Sequence, residues 1–420
     1  MAKLQRTCSS IKGLSFVGQN QIQRKFTSYL SHQGFLRNQT VDARTNNRDI
    51  LVTPLITNSQ CYKFNSTTSP VKQETNLCEK HSLKVPSRGA GVVVRTPIDA
   101  SIISSDPGQY QNLDEAFVRL YKSREAKNPA SQPSLSIEHR KDDNLSIECA
   151  AKNESDIVSD YELNVEIPIV YNIKASAVGN ANIHVSEFIE TKFVDIETVG
   201  GEVKINKLRS ENIKIKTHTG NVTCDGALQG NVCIKTNKGN ITSNKRFIGP
   251  SAELETEDGD IRISSSYSDI NKFTTDRGSL NLKNIHNESH ITVTENGNVT
   301  MQGLDGHTNI FVKKGNLDIQ ISRLTGDSRI HVVDGNLHLK LSDSHPMNVT
   351  IDAKEIMVDD KFGKQGKINP NDKDGLLCFT TSEQPQLSSE SLAIRAENGK
   401  VSVEIQDWAT SIGFKLPSMS

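Results

Sequence analysis

Residues 217–224 read Thr-His-Thr-Gly-Asn-Val-Thr-Cys, residues 236–243 Thr-Asn-Lys-Gly-Asn-Ile-Thr-Ser and residues 256–263 Thr-Glu-Asp-Gly-Asp-Ile-Arg-Ile. Each is a Thr-x-x-Gly turn followed by apolar residues two and four positions after the glycine. The same unit is centred on Gly201, Gly220, Gly239, Gly259, Gly278, Gly297, Gly315 and Gly335, at spacings of 19, 19, 20, 19, 19, 18 and 20, and returns at Gly399 after a gap of 64. A unit this short cannot bury its own apolar face, so it must stack on its neighbours.

The positions after the glycines are Val203/Ile205, Val222/Cys224, Ile241/Ser243, Ile261/Ile263, Leu280/Leu282, Val299/Met301, Leu317/Ile319, Leu337/Leu339 and Val401/Val403. Only Ser243 among them is polar, and the residues between are mostly charged or amide-bearing. This period of two describes half-buried strands and excludes helix. A second strand precedes each turn, as in Val194/Ile196, Ile213/Ile215, Val232/Ile234 and Leu392/Ile394. The glycine is expected to supply positive φ at the corner. Thr198, Thr217, Thr236, Thr256 and Thr275 should close the strand, and Asn221, Asn240, Asn298, Asn316 and Asn336 should stack as an amide ladder.

The predicted fold class is all-β: a parallel β-solenoid (β-helix) built of single-stranded coils of about 19 residues. A β-propeller is the competing architecture, but the only tryptophan, Trp408, follows the last coil, and propeller blades usually carry aromatic signatures. Leu163-x-Val165-x-Ile167-Pro168 and Ile183-x-Val185 read as lead-in strands, with a hairpin of Leu135-x-Ile137 and Leu145-x-Ile147 before them. The expected organisation is a leader at 1–41, a disordered linker at 42–91, an N-terminal cap with lead-in strands at 92–188, repeats at 189–410 with an inserted loop near 359–388, and a tail at 411–420.

The strand Val165-Glu166-Ile167-Pro168 followed by Thr-x-x-Gly-x-apolar-x-apolar coils resembles the putative-adhesin family of repetitive β domains, over about residues 92–410. The resemblance implies the solenoid fold and brings no catalytic residues.

Residues 1–41 hold six Lys or Arg and no acid, and are rich in Ser, Gln and Asn. This is the composition of a mitochondrial transit peptide, with Arg24 to Ser28 as a processing site, and it predicts mitochondrial localisation. The rest of the chain carries 43 basic and 50 acidic residues, which argues against a nucleic-acid partner. No run of 18 apolar residues exists, so no transmembrane segment is expected. The seven cysteines lack any C-x-x-C pair, which fits a reducing compartment. By repeat phase Cys224 faces inward and Cys233 outward.

No nucleophile elbow, P-loop or dinucleotide fingerprint occurs. Two charged groups are candidates for a site. Glu253, Glu255, Glu257, Asp258 and Asp260 form an acidic patch of the kind that holds Ca²⁺ or a general base on solenoid enzymes, and Lys204, Lys214, Lys216, Lys235 and Lys238 form a basic stripe able to take an anion or lipid head group. Solvated faces are the simpler reading of both. His286 with His290 and His331 with His338 lie outside metal-binding motifs. The sequence therefore predicts no catalytic, cofactor or metal residues and no cofactor. It points to a non-enzymatic binding or scaffold module with a protein partner; the alternative is a carbohydrate- or lipid-directed enzyme, or an adhesin-like protein, working on an outer face.

Overall fold

The computed structural model describes residues 76–108, 112–122, 132–140, 144–151, 160–343, 345, 347–359, 367–368, 376–380 and 390–406. The leader at 1–41, the first part of the linker, Trp408 and the tail at 411–420 lie outside the described residues.

From Ile183 onward the chain climbs in parallel coils. Val203–Thr217, Leu228–Lys238, Ile241–Asp258, Ile261–Arg277, Leu280–Asn296 and Val299–Lys314 stack so that equivalent residues meet. One interior column runs Ile215, Ile234, Leu254, Phe273, Ile291, Ile310 and Ile330. All seven side chains are buried, and the apolar residues of the two coil faces form one continuous core. Burying such a column is the main driving force for the fold, since a fully buried Ile, Leu or Phe contributes about 1.5–3 kcal/mol relative to exposure. Ser243, the polar exception, is buried too and donates to the Lys245 carbonyl at 2.8 Å.

Each coil has two faces and two corners. At the first corner the repeated glycines stack on one another, and their role differs from the expected one. Gly278, Gly315 and Gly335 have positive φ, at 155°, 145° and 149°, but Gly201, Gly220, Gly239, Gly259, Gly297 and Gly399 do not. The shared requirement is space, because a Cβ on Gly239, Gly259 or Gly278 would run into the carbonyl of the glycine one coil earlier. Thr256 and Thr275 donate their hydroxyls to those same carbonyls at 3.0 and 3.1 Å. The asparagine ladder exists in a different form. Instead of amide on amide, each side-chain oxygen accepts the backbone N–H of the next coil: Asn221 from Asn240, Asn240 from Asp260, Asn298 from Asn316 and Asn316 from Asn336, at 2.8 to 3.0 Å.

The ends of the stack depart from sequence order. Gly91–Thr96 and Asp99–Ser104 lie between Leu145–Ala150 and Tyr161–Ile167 on one side and Asn172–Ala177 and Ile183–Thr198 on the other, all in parallel. The early part of the predicted cap is thus a coil within the stack. At the far end Ser391–Gln406 fills the slot between Ser328–Asp334 with Leu337–Ser342 and Asn348–Val358. What reads as an inserted loop near 359–388 therefore begins earlier, at Asn348, and includes Leu376–Thr380, which pairs antiparallel with Asn348–Val358.

Antiparallel strands blunt the near end as well. Ser134–His139 pairs with Leu145–Ala150, which is the predicted hairpin. Leu77–Lys84 pairs with Glu115–Lys122, and that strand with Tyr161–Ile167. The predicted linker at 42–91 consequently ends sooner. Its last residues alternate half-buried and exposed from Leu77, and that period of two suits an edge strand that guards the stack.

Candidate corner binding site

The structure separates the charged residues that the sequence groups. Lys204 lies on one face of its coil, whereas Lys214, Lys216 and Lys235 lie on the other, with Lys214 and Lys216 in register with Asp195 and Glu197 of the coil before and Lys235 with Glu255 of the coil after. Lys235 Nζ is 3.2 Å from Glu253 and 2.6 Å from Glu255, and Lys272 is 3.5 Å from Glu253. The hydrogen bond to Glu255 leads in raising the Lys235 pKa. Burial pushes Glu253 upward, but its bond to Lys235 together with the charges of Lys235 and Lys272 outweighs that and holds the carboxyl below its ordinary value. Glu257 accepts from Asn237 at 2.8 Å, and Asp260 accepts from Arg262 and from the Ser279 N–H. Lys235, Glu253, Glu255, Glu257 and Asp260 thus each meet a partner on a neighbouring coil.

The histidines are likewise paired with acids: His290 with Glu288 at 2.9 Å, His331 with Glu397 at 3.0 Å and His338 with Glu404 at 3.4 Å. Among the described residues no group of three or more His, Cys, Asp or Glu could hold a metal ion. Burial pushes the Cys224 thiol up to about 12, and burial followed by the nearby Glu253 raises half-buried Cys233, so neither is an activated nucleophile.

The second corner of the coils, where the chain bends without leaving the strand, is where open polar groups converge. Non-glycine residues with positive φ gather at this bend: Glu187 at 70°, Glu190 at 56°, Lys207 at 46°, Asn284 at 47° and Asn287 at 65°. Such backbone costs on the order of 1–3 kcal/mol per residue and persists only where the surroundings enforce it. Here the bulged bend does so: pairing jumps from Leu208↔Phe188 to Ser210↔Thr191, leaving one more residue on the earlier coil.

Over the early coils this bend is hollowed into a groove of about 360 Å³, lined among others by Glu190, Thr191, Arg209, Glu211, Gln229 and Pro250. Gly230 and Gly249 stack in its wall, and a Cβ on Gly249 would meet the Gly230 carbonyl, so the coils approach there only without side chains. A second cavity of about 150 Å³, lined by Arg88, Gly89, Val170, Asn172 and Lys192, shares Glu190 with the first. Arg209, Glu190 and Glu211 make no ion pair among the described residues, and the buried hydroxyl of Thr191 has no hydrogen-bond partner.

Arg209 begins a column that follows the corner. Backbone pairing places Gln229 next, then Ile248, then Tyr267. Tyr267 is 46% exposed and stacks on His286 with ring centroids 4.3 Å apart at 15°. His286 then faces Asp305, which accepts from Arg323 at 2.7 Å. The interior side of the bend is lined by buried Thr191, Ser210, Asn271, Ser289 and Thr308. Sequence reasoning passed over this corner. Its signal is the run of small or amide-bearing residues nine or ten positions before each first-corner glycine: Thr191, Ser210, Gly230, Gly249, Ser268, Asn287 and Gly306.

A stack of parallel coils with two charged faces and an open polar corner defines a parallel β-solenoid. The chain belongs to the Toastrack DUF4097 family, whose profile matches residues 118–375. Solved structures similar to it include a "putative adhesin" from Bacteroides fragilis, at 11% identity over 79% of this chain and 98% of that chain with a TM-score of 0.26. A "putative adhesin" from Parabacteroides merdae gives 10% identity, 79% and 97% coverage and a TM-score of 0.27. A "putative lipid binding protein" from Parabacteroides distasonis gives 11%, 79% and 98%, and 0.26. Among curated proteins nothing matches. No helix of the described residues is long and apolar enough to cross a membrane.

Proposed function

We propose that this chain is a non-catalytic binding module that acts in mitochondria and holds a protein partner along the second corner of its solenoid. The observation that carries the reading is the groove beside Glu190, Arg209 and Glu211, whose charges have no ion partners among the described residues, on a coil stack whose central acids are engaged in pairs. Charges left open beside a glycine-lined hollow are available to a ligand; charges already paired across coils are not. The acid-free basic leader supports the mitochondrial address. With the segment Gln109 to Val118 ahead of the hairpin, that leader gives the chain a layout similar to the eukaryotic protein called family with sequence similarity 185 member A.

Proximity labelling with the full chain fused at its C-terminus, read together with the sequence of its mature N-terminus, tests the proposal. Mitochondrial neighbours and a start near residues 26–41 are expected. An unprocessed chain with cell-surface neighbours would move the same corner into the adhesin-like alternative. A neighbour set unaltered by Arg209→Glu would remove the corner from the account.

A further inference from the structure

If the second corner is the binding surface, its chemistry also says what kind of ligand it takes. The groove and the Tyr267 ring form one continuous surface: Gly249, at the end of the groove, pairs with Ser268, and Ile248 pairs with Tyr267. A ligand leaving the groove along the solenoid axis therefore arrives on that ring. Tyr267 is held against His286, so its plane is fixed before any ligand binds, which lowers the ordering cost of using it as a platform. Ile270, three residues on in the same coil, is 47% exposed.

The two ends of the column differ in character. Arg209 is exposed, with a guanidinium that no acid of the described residues engages, and it suits a carboxylate held by paired hydrogen bonds. Glu190 and Glu211 flank it as acceptors for N–H groups, and Gln229, one coil on, offers both a donor and an acceptor to a peptide backbone. The sequence of cation, amide and apolar ring along one line matches a polypeptide better than an oligosaccharide, whose hydroxyls would be set over Ile248 and Ile270 without partners.

Arg209 and Tyr267 are three coil steps apart. At about 4.8 Å per step that is about 14 Å, which an extended chain covers in about four residues. We infer that the second corner recognises an extended peptide that sets an acidic side chain against Arg209 and, about four residues along, a proline or aromatic ring against Tyr267.

The test is selection of short random peptides from a displayed library on the full chain, followed by fluorescence anisotropy of the selected peptides. Enrichment of an acid and a ring at that spacing is expected, with binding weakened about ten-fold or more by Tyr267→Ala and by Arg209→Glu. Arg209→Glu should also regain affinity for a peptide carrying Lys in place of the acid. Both residues are exposed, so an unchanged melting curve serves as the folding control. Absence of any such motif, while a labelled partner is still lost from the Arg209→Glu chain, would overturn the peptide and leave the corner standing. A partner retained by both variants would overturn both readings. Glycan-array binding that Tyr267→Ala abolishes, with no peptide selected, would replace the peptide by an oligosaccharide.

Discussion

The backbone N–H of Lys400 donates to Oδ1 of Asn336 across 3.0 Å, although 64 residues separate them. This bond continues the asparagine ladder and seats Ser391–Gln406 beside Leu337–Ser342. Asp327 holds the start of the same strand by accepting from both the Ser391 N–H, at 3.2 Å, and its hydroxyl, at 2.6 Å. Asn336→Ala removes one rung and should cost about 1 kcal/mol, read as a lower urea midpoint with unchanged slope. An unmoved midpoint would mean that the ladder follows the register without helping to set it.

Glycines at the first corner and elsewhere should respond differently to the same change. In Gly259→Ala the new methyl meets the Gly239 carbonyl, and overpacking of that kind costs about 1–3 kcal/mol. For Gly326→Ala the nearest atom is the His307 Cβ at 3.5 Å, so stability should stay within about 0.5 kcal/mol. Thermal melts of the two variants compare them directly, and equal losses would refute the close-approach account.

Asn271 is fully buried at the second corner. It donates to the carbonyls of His286 at 2.8 Å, Glu288 at 3.2 Å and Ser268 at 3.3 Å, and accepts from the Ser266 hydroxyl. Asn271→Ala removes these bonds from a buried site and should cost about 1–3 kcal/mol. Because it holds the backbone under His286, it should also weaken any ligand that uses Tyr267. A variant that loses stability but binds unchanged would separate the buried network from the surface platform.

His184 gives the fold a pH dependence of known sign. Burial lowers its pKa, with the positive charge of Lys204 acting in the same direction. The unfolded chain, with an imidazole near about 6.5, therefore binds a proton more readily than the folded one. Stability from this group is complete above that pH and is lost as pH falls through it. His184→Gln should flatten the slope of urea midpoint against pH below about 6.5, and an identical slope in both proteins would exclude His184 as its source.

Lys235 with Glu253 and Glu255 is a surface cluster and should behave as one. A double-mutant cycle between Lys235→Ala and Glu255→Ala should return a coupling of about 0.2–1 kcal/mol that shrinks at high salt. A larger, salt-insensitive coupling would indicate a more specialised role for this patch.

The repeating part of the molecule is legible along the chain. Periods of two and about 19 mark a buried strand position and a coil, and every middle coil sees the same environment above and below, so Val222, Ile241, Ile261 and Leu280 carry the register unaided. The sequence also pointed to the inward Cys224 and to Ser243 as a core position. The order of the ends emerges only once the coils are stacked. Leu337–Ser342 offers an edge that either Asn348–Val358 or Ser391–Gln406 could extend, since both alternate apolar residues, and the choice depends on Asn336, Asp327 and the antiparallel strand Leu376–Thr380 acting together. The corner site was out of reach for the same reason. Glu190, Arg209, Gln229, Ile248 and Tyr267 show no shared chemistry along the chain, and they become one surface only when the coils stack at strand spacing.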